Sequence, residues 1–229
     1  MIDTEAIKRI HAARLQWLHN SGMAVLLLLL ICLVFIAPAF ISHGEVWRVV
    51  TDVIVVLVLL SGVVAVLDHR GLAATLAVLS VLVIVERSAE GLVPAGLLPV
   101  VRNVSTLGGF LVLAVAVGIN VFASGHAVGD RVFGAIVLYL PIGLIWAVIY
   151  SAISLHVPNA FTGSVGVNAG LSDWVYFSFV TLTTVGYGDI TPVAQGARAL
   201  ATLEAFIGQL YPAIIIARLV SLQSSGGRS

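Results

Sequence analysis

Of 229 residues, 60% are hydrophobic and 10% charged, and the mean hydropathy is +1.12; a chain so poor in charge does not cover a water-soluble globule. Eleven basic and eleven acidic side chains cancel, which leaves no electrostatic excess for nucleic acid or an acidic substrate. The single cysteine, Cys32, lies inside an apolar run, so a disulfide framework and a cysteine-built zinc cluster are excluded.

Residues 1–20 place Ile2, Ala6, Ile7, Ile10, Ala13, Trp17 and Leu18 on one helical face and Glu5, Lys8, Arg9, Gln16 and His19 roughly opposite. This is the pattern of an amphipathic helix lying along a membrane surface. Its plain role is an anchor that orients the first span; a regulatory role is the alternative.

A helix needs about 20 apolar residues to cross a bilayer core of about 30 Å. Four such spans are predicted in residues 21–130, namely Gly22–Ile41, Val49–Leu67, Gly71–Val85 and Leu107–Ala123. Two more, Val132–His156 and Ala197–Leu222, fall in residues 131–222. The first is too long, and too deep in the chain, for a cleavable signal core. The third is short for a full crossing. Asp52, near one end of the second, reads as a solvated or paired end residue.

Leu92–Val101, broken by Pro94 and Pro99 and flanked by Glu86, Arg87, Glu90 and Arg102, reads as an interfacial link. Voltage sensing needs several arginines at three-residue spacing. The fourth span has none, Arg102 standing alone before it, so little intrinsic voltage dependence is expected. Six spans place both termini on one side. With that side cytoplasmic, Lys8, Arg9, Arg14, Arg70, Arg131, Arg218 and Arg228 lie inside, against Arg48, Arg87, Arg102 and Arg198 outside. The excess of inner basic residues supports the orientation, and a prokaryotic plasma membrane is the expected location.

After the fifth span, the Gly/Asn/Ser-rich stretch Pro158–Gly170 leads to Leu171–Thr184, too short to span and suited to a re-entrant half-helix with Ser172 as its N-cap. It runs into Thr181-Leu182-Thr183-Thr184-Val185-Gly186-Tyr187-Gly188-Asp189. Irregular backbone at membrane depth is tolerated only where protein buries it or where it lines a wet cavity. A glycine-rich turn between a half-helix and a span therefore implies a pore. A half-helix entering from outside points the negative end of its dipole at the pore centre, which favours a cation.

The segment Trp174–Pro192, WVYFSFVTLTTVGYGDITP, resembles the pore helix and selectivity filter of tetrameric pore-loop potassium channels. The resemblance covers about Val132 to Leu222 and is strongest around the filter. It implies an all-α membrane protein with six transmembrane helices, a re-entrant pore helix and a filter loop, four copies forming one pore with cyclic symmetry. It further implies a filter of Thr184, Val185, Gly186, Tyr187 and Gly188. The carbonyls of Thr184, Val185, Gly186 and Tyr187 and the Thr184 hydroxyl would replace the water shed by K⁺. Gly186 and Gly188 can take the positive φ that lets successive carbonyls face one axis. Thr183, Asp189, Trp174, Tyr176 and Phe177 would support the filter from behind. The permeant ion is K⁺, and no cofactor is expected.

In the sixth span, Gly208 and Pro212 predict a bend, as a gating hinge in channels of this kind; close helix packing at Gly208 is an equal reading. Glu204 is an ionisable residue at membrane depth, expected to bond to the pore helix at Ser178 or Thr181, with pH sensing or filter gating as alternatives. Residues 223–229 form a short Ser/Gly-rich tail, in which no soluble regulatory domain fits. His11, His19, His43, His69, His126 and His156 show no metal-ligand spacing, and no side-chain set suggests an enzyme. A potassium uptake transporter with four degenerate pore loops is the rival from another class, disfavoured by the single complete filter. A non-conducting, channel-like membrane subunit is the other.

Overall fold

The computed structural model describes residues 22–40, 45–65, 70–88, 97–122, 128–164 and 169–226. The amphipathic helix expected at residues 1–20 and the first part of the proline-interrupted link lie outside the described residues, as do all the histidines but His156. The described chain is helical apart from one pair of three-residue strands and short connections.

Helix α1 covers residues 22–40. It contains a wide turn, Cys32–Ile36, closed by the Ala37 N–H donating to the Cys32 carbonyl. Pro38 explains the turn: in regular α geometry its ring collides with the carbonyl four residues back, and one extra residue in the turn relieves the collision. Helices α2, Glu45–Ala65, and α3, Arg70–Ser88, follow. The short third span falls within α3.

Helix α4, Leu98–Phe122, starts well before the predicted Leu107. Leu98–Val101 is therefore its first turn and not part of an interfacial link. Pro99 is tolerated there because an amide in the first turn has no intrahelical acceptor to lose. Helix α5 is Val128–His156, the short α6 is Leu171–Leu182, and α7 is Gln195–Gly226. The tail expected at residues 223–229 is thus helical as far as Gly226.

Among the described residues, three segments are long and apolar enough to cross a membrane: Leu98–Ile119, Val132–His156 and Gln195–Arg218. Two shorter apolar helical stretches are Gly22–Ile36 and Val49–Val64.

Helix α4 packs along α5, and α2 and α3 pack against each other and against α4. Leu26 and Leu30 of α1, Val58 and Leu59 of α2, Leu76 of α3, Phe110 and Leu113 of α4 and Val137 and Leu144 of α5 are buried in one core. Helix α5 also carries α6 and α7, and α1 touches α6 as well, so both α5 and α1 join the N-terminal layer to the C-terminal unit. Strand β1, Phe161–Gly163, pairs antiparallel with β2, Ile190–Pro192, with Thr162 opposite Thr191. This closes the chain segment before α6 onto the segment after the loop.

Candidate functional site

Helix α6 starts from Gly170, whose extended backbone is the N-cap. The Asp173 carboxylate accepts the Gly170 N–H at 2.9 Å, and the Asp173 N–H donates back to the Gly170 carbonyl at 3.2 Å. Ser172, the predicted cap, lies instead inside the first turn. The aspartate also suits the positive end of the helix dipole.

At the other end the helix does not simply fray. The Thr184 N–H donates to the Thr181 carbonyl at 2.9 Å, and the Val185 and Gly186 N–H groups both reach the Val180 carbonyl, at 2.9 and 3.3 Å. The last carbonyls of α6 thus take the first amides of the loop. These bonds set the direction in which the loop leaves the helix.

Along the loop, Thr184, Gly186 and Gly188 have φ of 59°, 57° and 79°. Every second residue is therefore left-handed, which breaks the alternation of an ordinary strand and allows successive carbonyls to face one side. A side chain at Gly186 or Gly188 would meet nothing within 4 Å. The requirement for glycine there is conformational and not steric. Thr184 is β-branched and pays for its φ. Its hydroxyl accepts a hydrogen bond from Gln209 Nε2 at 2.8 Å, a contact the sequence reading did not anticipate.

Tyr176 stacks on Tyr187 with parallel rings 6.5 Å apart, and its hydroxyl faces the Asp189 carboxylate. Trp174 and Phe177 turn the other way. Trp174 lies 4.7 Å from the ring of Phe161, and Phe177 lies 4.9 Å from Tyr150 and 5.5 Å from Phe161. Of the three predicted aromatic buttresses, Tyr176 touches the loop, while Trp174 and Phe177 fix α6 to α5 and β1.

Asp189 is held through its backbone. Its carbonyl accepts the Ser164 N–H at 2.8 Å. A Cβ on Gly163, which sits at φ +119°, would lie 1.9 Å from that same carbonyl oxygen, so both conformation and space require glycine. On β2 the Pro192 carbonyl accepts from Arg198 Nε at 3.1 Å. Thr183 donates its hydroxyl to the Phe179 carbonyl.

Helix α7 runs unbroken through Gly208 and Pro212. Gly208 is buried against α6: a Cβ there would stand 1.8 Å from the Leu182 carbonyl oxygen. One turn earlier, Glu204 is fully buried. Its Oε2 accepts the Tyr150 hydroxyl at 2.6 Å, and its Oε1 lies 2.6 Å from Ser178 Oγ. Of the two partners expected on α6, Ser178 is the one used. Tyr150, on α5, was not foreseen; it is an apolar-helix tyrosine with nothing in its spacing to single it out. Ser178 Oγ also lies 2.7 Å from the Gly143 carbonyl of α5. His156, at the end of α5, bonds through Nδ1 to the Ala152 carbonyl at 2.7 Å.

Comparison with known proteins bears on the same half of the chain. A family described as "Ion channel" matches residues 138–224. Protein LctB of Geobacillus stearothermophilus is 41% identical over 80 residues, which cover 33% of this chain and 59% of that protein. Protein LctB of Bacillus caldotenax is 35% identical over 96 residues, 40% of this chain and 71% of that protein. Two pore potassium channel c of Oryza sativa subsp. japonica is 39% identical over 64 residues, 28% of this chain and 14% of that protein. No solved structure matches at a significant level.

Proposed function

Since the chain belongs to the ion channel family and is not an enzyme, we propose that it is the subunit of a potassium-selective channel that conducts K⁺ passively through a homotetrameric pore. The observation that carries the reading is the left-handed backbone at Thr184, Gly186 and Gly188. With alternate residues left-handed, the carbonyls of Thr184, Val185, Gly186 and Tyr187 form one row of oxygens, with the Thr184 hydroxyl at its inner end. Four such rows around an axis replace the hydration shell of a K⁺ ion, and ions in adjacent sites repel each other onward. The potassium channels among the similar proteins support the ion.

The exposure of the loop in a single copy supports the assembly. Val185 and Tyr187 are 52% and 71% exposed, an uncommon placement for side chains that belong behind a filter. The face of α7 bearing Leu203, Phe206, Leu210 and Ile214 is also exposed, and neighbouring copies would cover both. In this reading α5 is the outer helix, α6 the pore helix and α7 the inner helix, and α1 to α4 complete six membrane spans with both termini cytoplasmic. Helix α4 carries Arg102 at its start and no arginine beyond it, so the gate responds weakly to voltage. Reconstituted protein should show a reversal potential that follows the K⁺ gradient. A current that follows Na⁺ equally well contradicts the proposal.

A further inference from the structure

Four buried polar groups on three helices form one chain of short contacts: Tyr150 Oη to Glu204 Oε2 at 2.6 Å, Glu204 Oε1 to Ser178 Oγ at 2.6 Å, and Ser178 Oγ to the Gly143 carbonyl at 2.7 Å. Counting protons along this chain decides the state of its middle member. The Gly143 carbonyl can only accept, and serine has a single proton to give. Both contacts of Ser178 are as short as a full O–H···O bond, and one proton cannot serve two of them. Were Glu204 ionised, one of the two would bring bare oxygens together.

We propose that Glu204 is a positioning residue that works as a neutral carboxylic acid: it accepts from Tyr150, donates from Oε1 to Ser178, and Ser178 donates on to Gly143. All four groups are then satisfied, and the bonds run in one direction, each polarising the next. The chain ties α5, α6 and α7 together behind the loop that leaves α6. The inference rests on the reading of residues 184–188 as a filter, because it is the filter that α6 positions.

Ionisation would reverse one bond. A carboxylate accepts the hydrogen bond of the Ser178 hydroxyl, the Gly143 carbonyl loses its donor, and a charge is left among Tyr150, Ser178 and apolar side chains. From α5 the ionisable groups facing Glu204 are Tyr150 and Tyr139; from α6 it is faced by Ser178, which does not titrate. β2 contributes Ile190, Thr191 and Pro192, which carry no ionisable group. None of these supplies a positive charge to stabilise the anion. The tie is therefore complete at low pH and is lost as pH rises through the titration of Glu204.

Glutamine is the discriminating substitution, since its amide oxygen accepts from Tyr150 and its NH₂ donates to Ser178, the pattern of the neutral acid. Two measurements are made on the full-length wild type and on Glu204→Gln, both reconstituted in liposomes: potassium current as a function of pH, and the infrared spectrum. The wild type should show the carbonyl band of a protonated carboxyl at neutral pH, absent from Glu204→Gln, and should lose most of its current at alkaline pH. Glu204→Gln should conduct at neutral pH and keep its current at alkaline pH. Identical pH profiles of two conducting proteins, a silent Glu204→Gln beside a conducting wild type, or no protonated-carboxyl band assignable to Glu204 would each overturn the inference. A wild type that shows the band but passes no potassium-selective current at any pH counts against the channel reading, and leaves the proton on Glu204 established.

Discussion

Gly186 and Gly208 are both glycines of the pore region, and they are glycine for different reasons. At Gly186 the backbone is left-handed with open space around it, so an L-residue strains the loop without meeting a neighbour. Gly186→Ala should abolish selectivity for K⁺ over Na⁺ while membrane insertion, read by fractionation, is unchanged. At Gly208 the limit is the Leu182 carbonyl, two residues before Thr184. Forcing a methyl group into such a contact costs about 1–3 kcal/mol. Gly208→Ala should therefore lower both the thermal stability of the assembly and its ion selectivity, whereas a pure hinge would change open probability alone. Gln209 acts on the loop more gently. Gln209→Leu removes the bond to the Thr184 hydroxyl, worth about 0.5–1.5 kcal/mol, and should shift the preference between K⁺ and Rb⁺ without abolishing conduction. The loop glycines were legible in the sequence because their spacing within TVGYG is specific. Gln209 and Tyr150 were not, since a lone polar residue on an apolar helix does not announce which neighbour it meets.

Among the elements, α6 is fixed from several sides: by Asp173 at its start, by the aromatic contacts of Trp174 and Phe177 along one face, by Ser178 toward α5 and α7, and by the loop amides at its end. Helix α1 adds Phe35, whose ring lies 6.2 Å from that of Phe179 on α6, and so brings the N-terminal layer into direct contact with α6. The strand pair β1–β2 ties the segment before α6 to the segment after the loop. Gly163→Ala would drive a methyl group into the Asp189 carbonyl from a strained φ. It should lower the thermal stability of the reconstituted protein by more than Gly196→Ala, where the same methyl group meets nothing within 4 Å. Equal losses would mean that the strand pair does not hold the loop. Helix α6 was predictable within two residues because an apolar stretch too short to span is a strong signal. The strands were not, because three residues carry no period and their pairing is set by where α6 and the loop bring them. The misplaced start of α4 has a similar cause: Pro99 signals a break in sequence, but in a first turn proline breaks nothing.

Across the whole molecule, the two halves differ in how much their sequence reveals. Residues 138–224 match an ion channel family, and they contain the loop with left-handed backbone at Thr184, Gly186 and Gly188. Helices α1 to α4 form a layer packed on α5 whose composition specifies burial and hydropathy but no chemistry. Moving one charge across the membrane is worth about 2.3 kcal/mol per 100 mV, and with Arg102 alone on α4 the open probability should change little between negative and positive potentials. The central claim is that the loop at Thr184–Gly188 selects potassium. It is tested most directly by the reversal potential of the reconstituted protein in a planar bilayer with K⁺ on one side and Na⁺ on the other. The account predicts a reversal potential far from zero, in the direction set by K⁺, and lost in Gly186→Ala. A wild-type reversal near zero, or wild-type selectivity surviving Gly186→Ala, would contradict it.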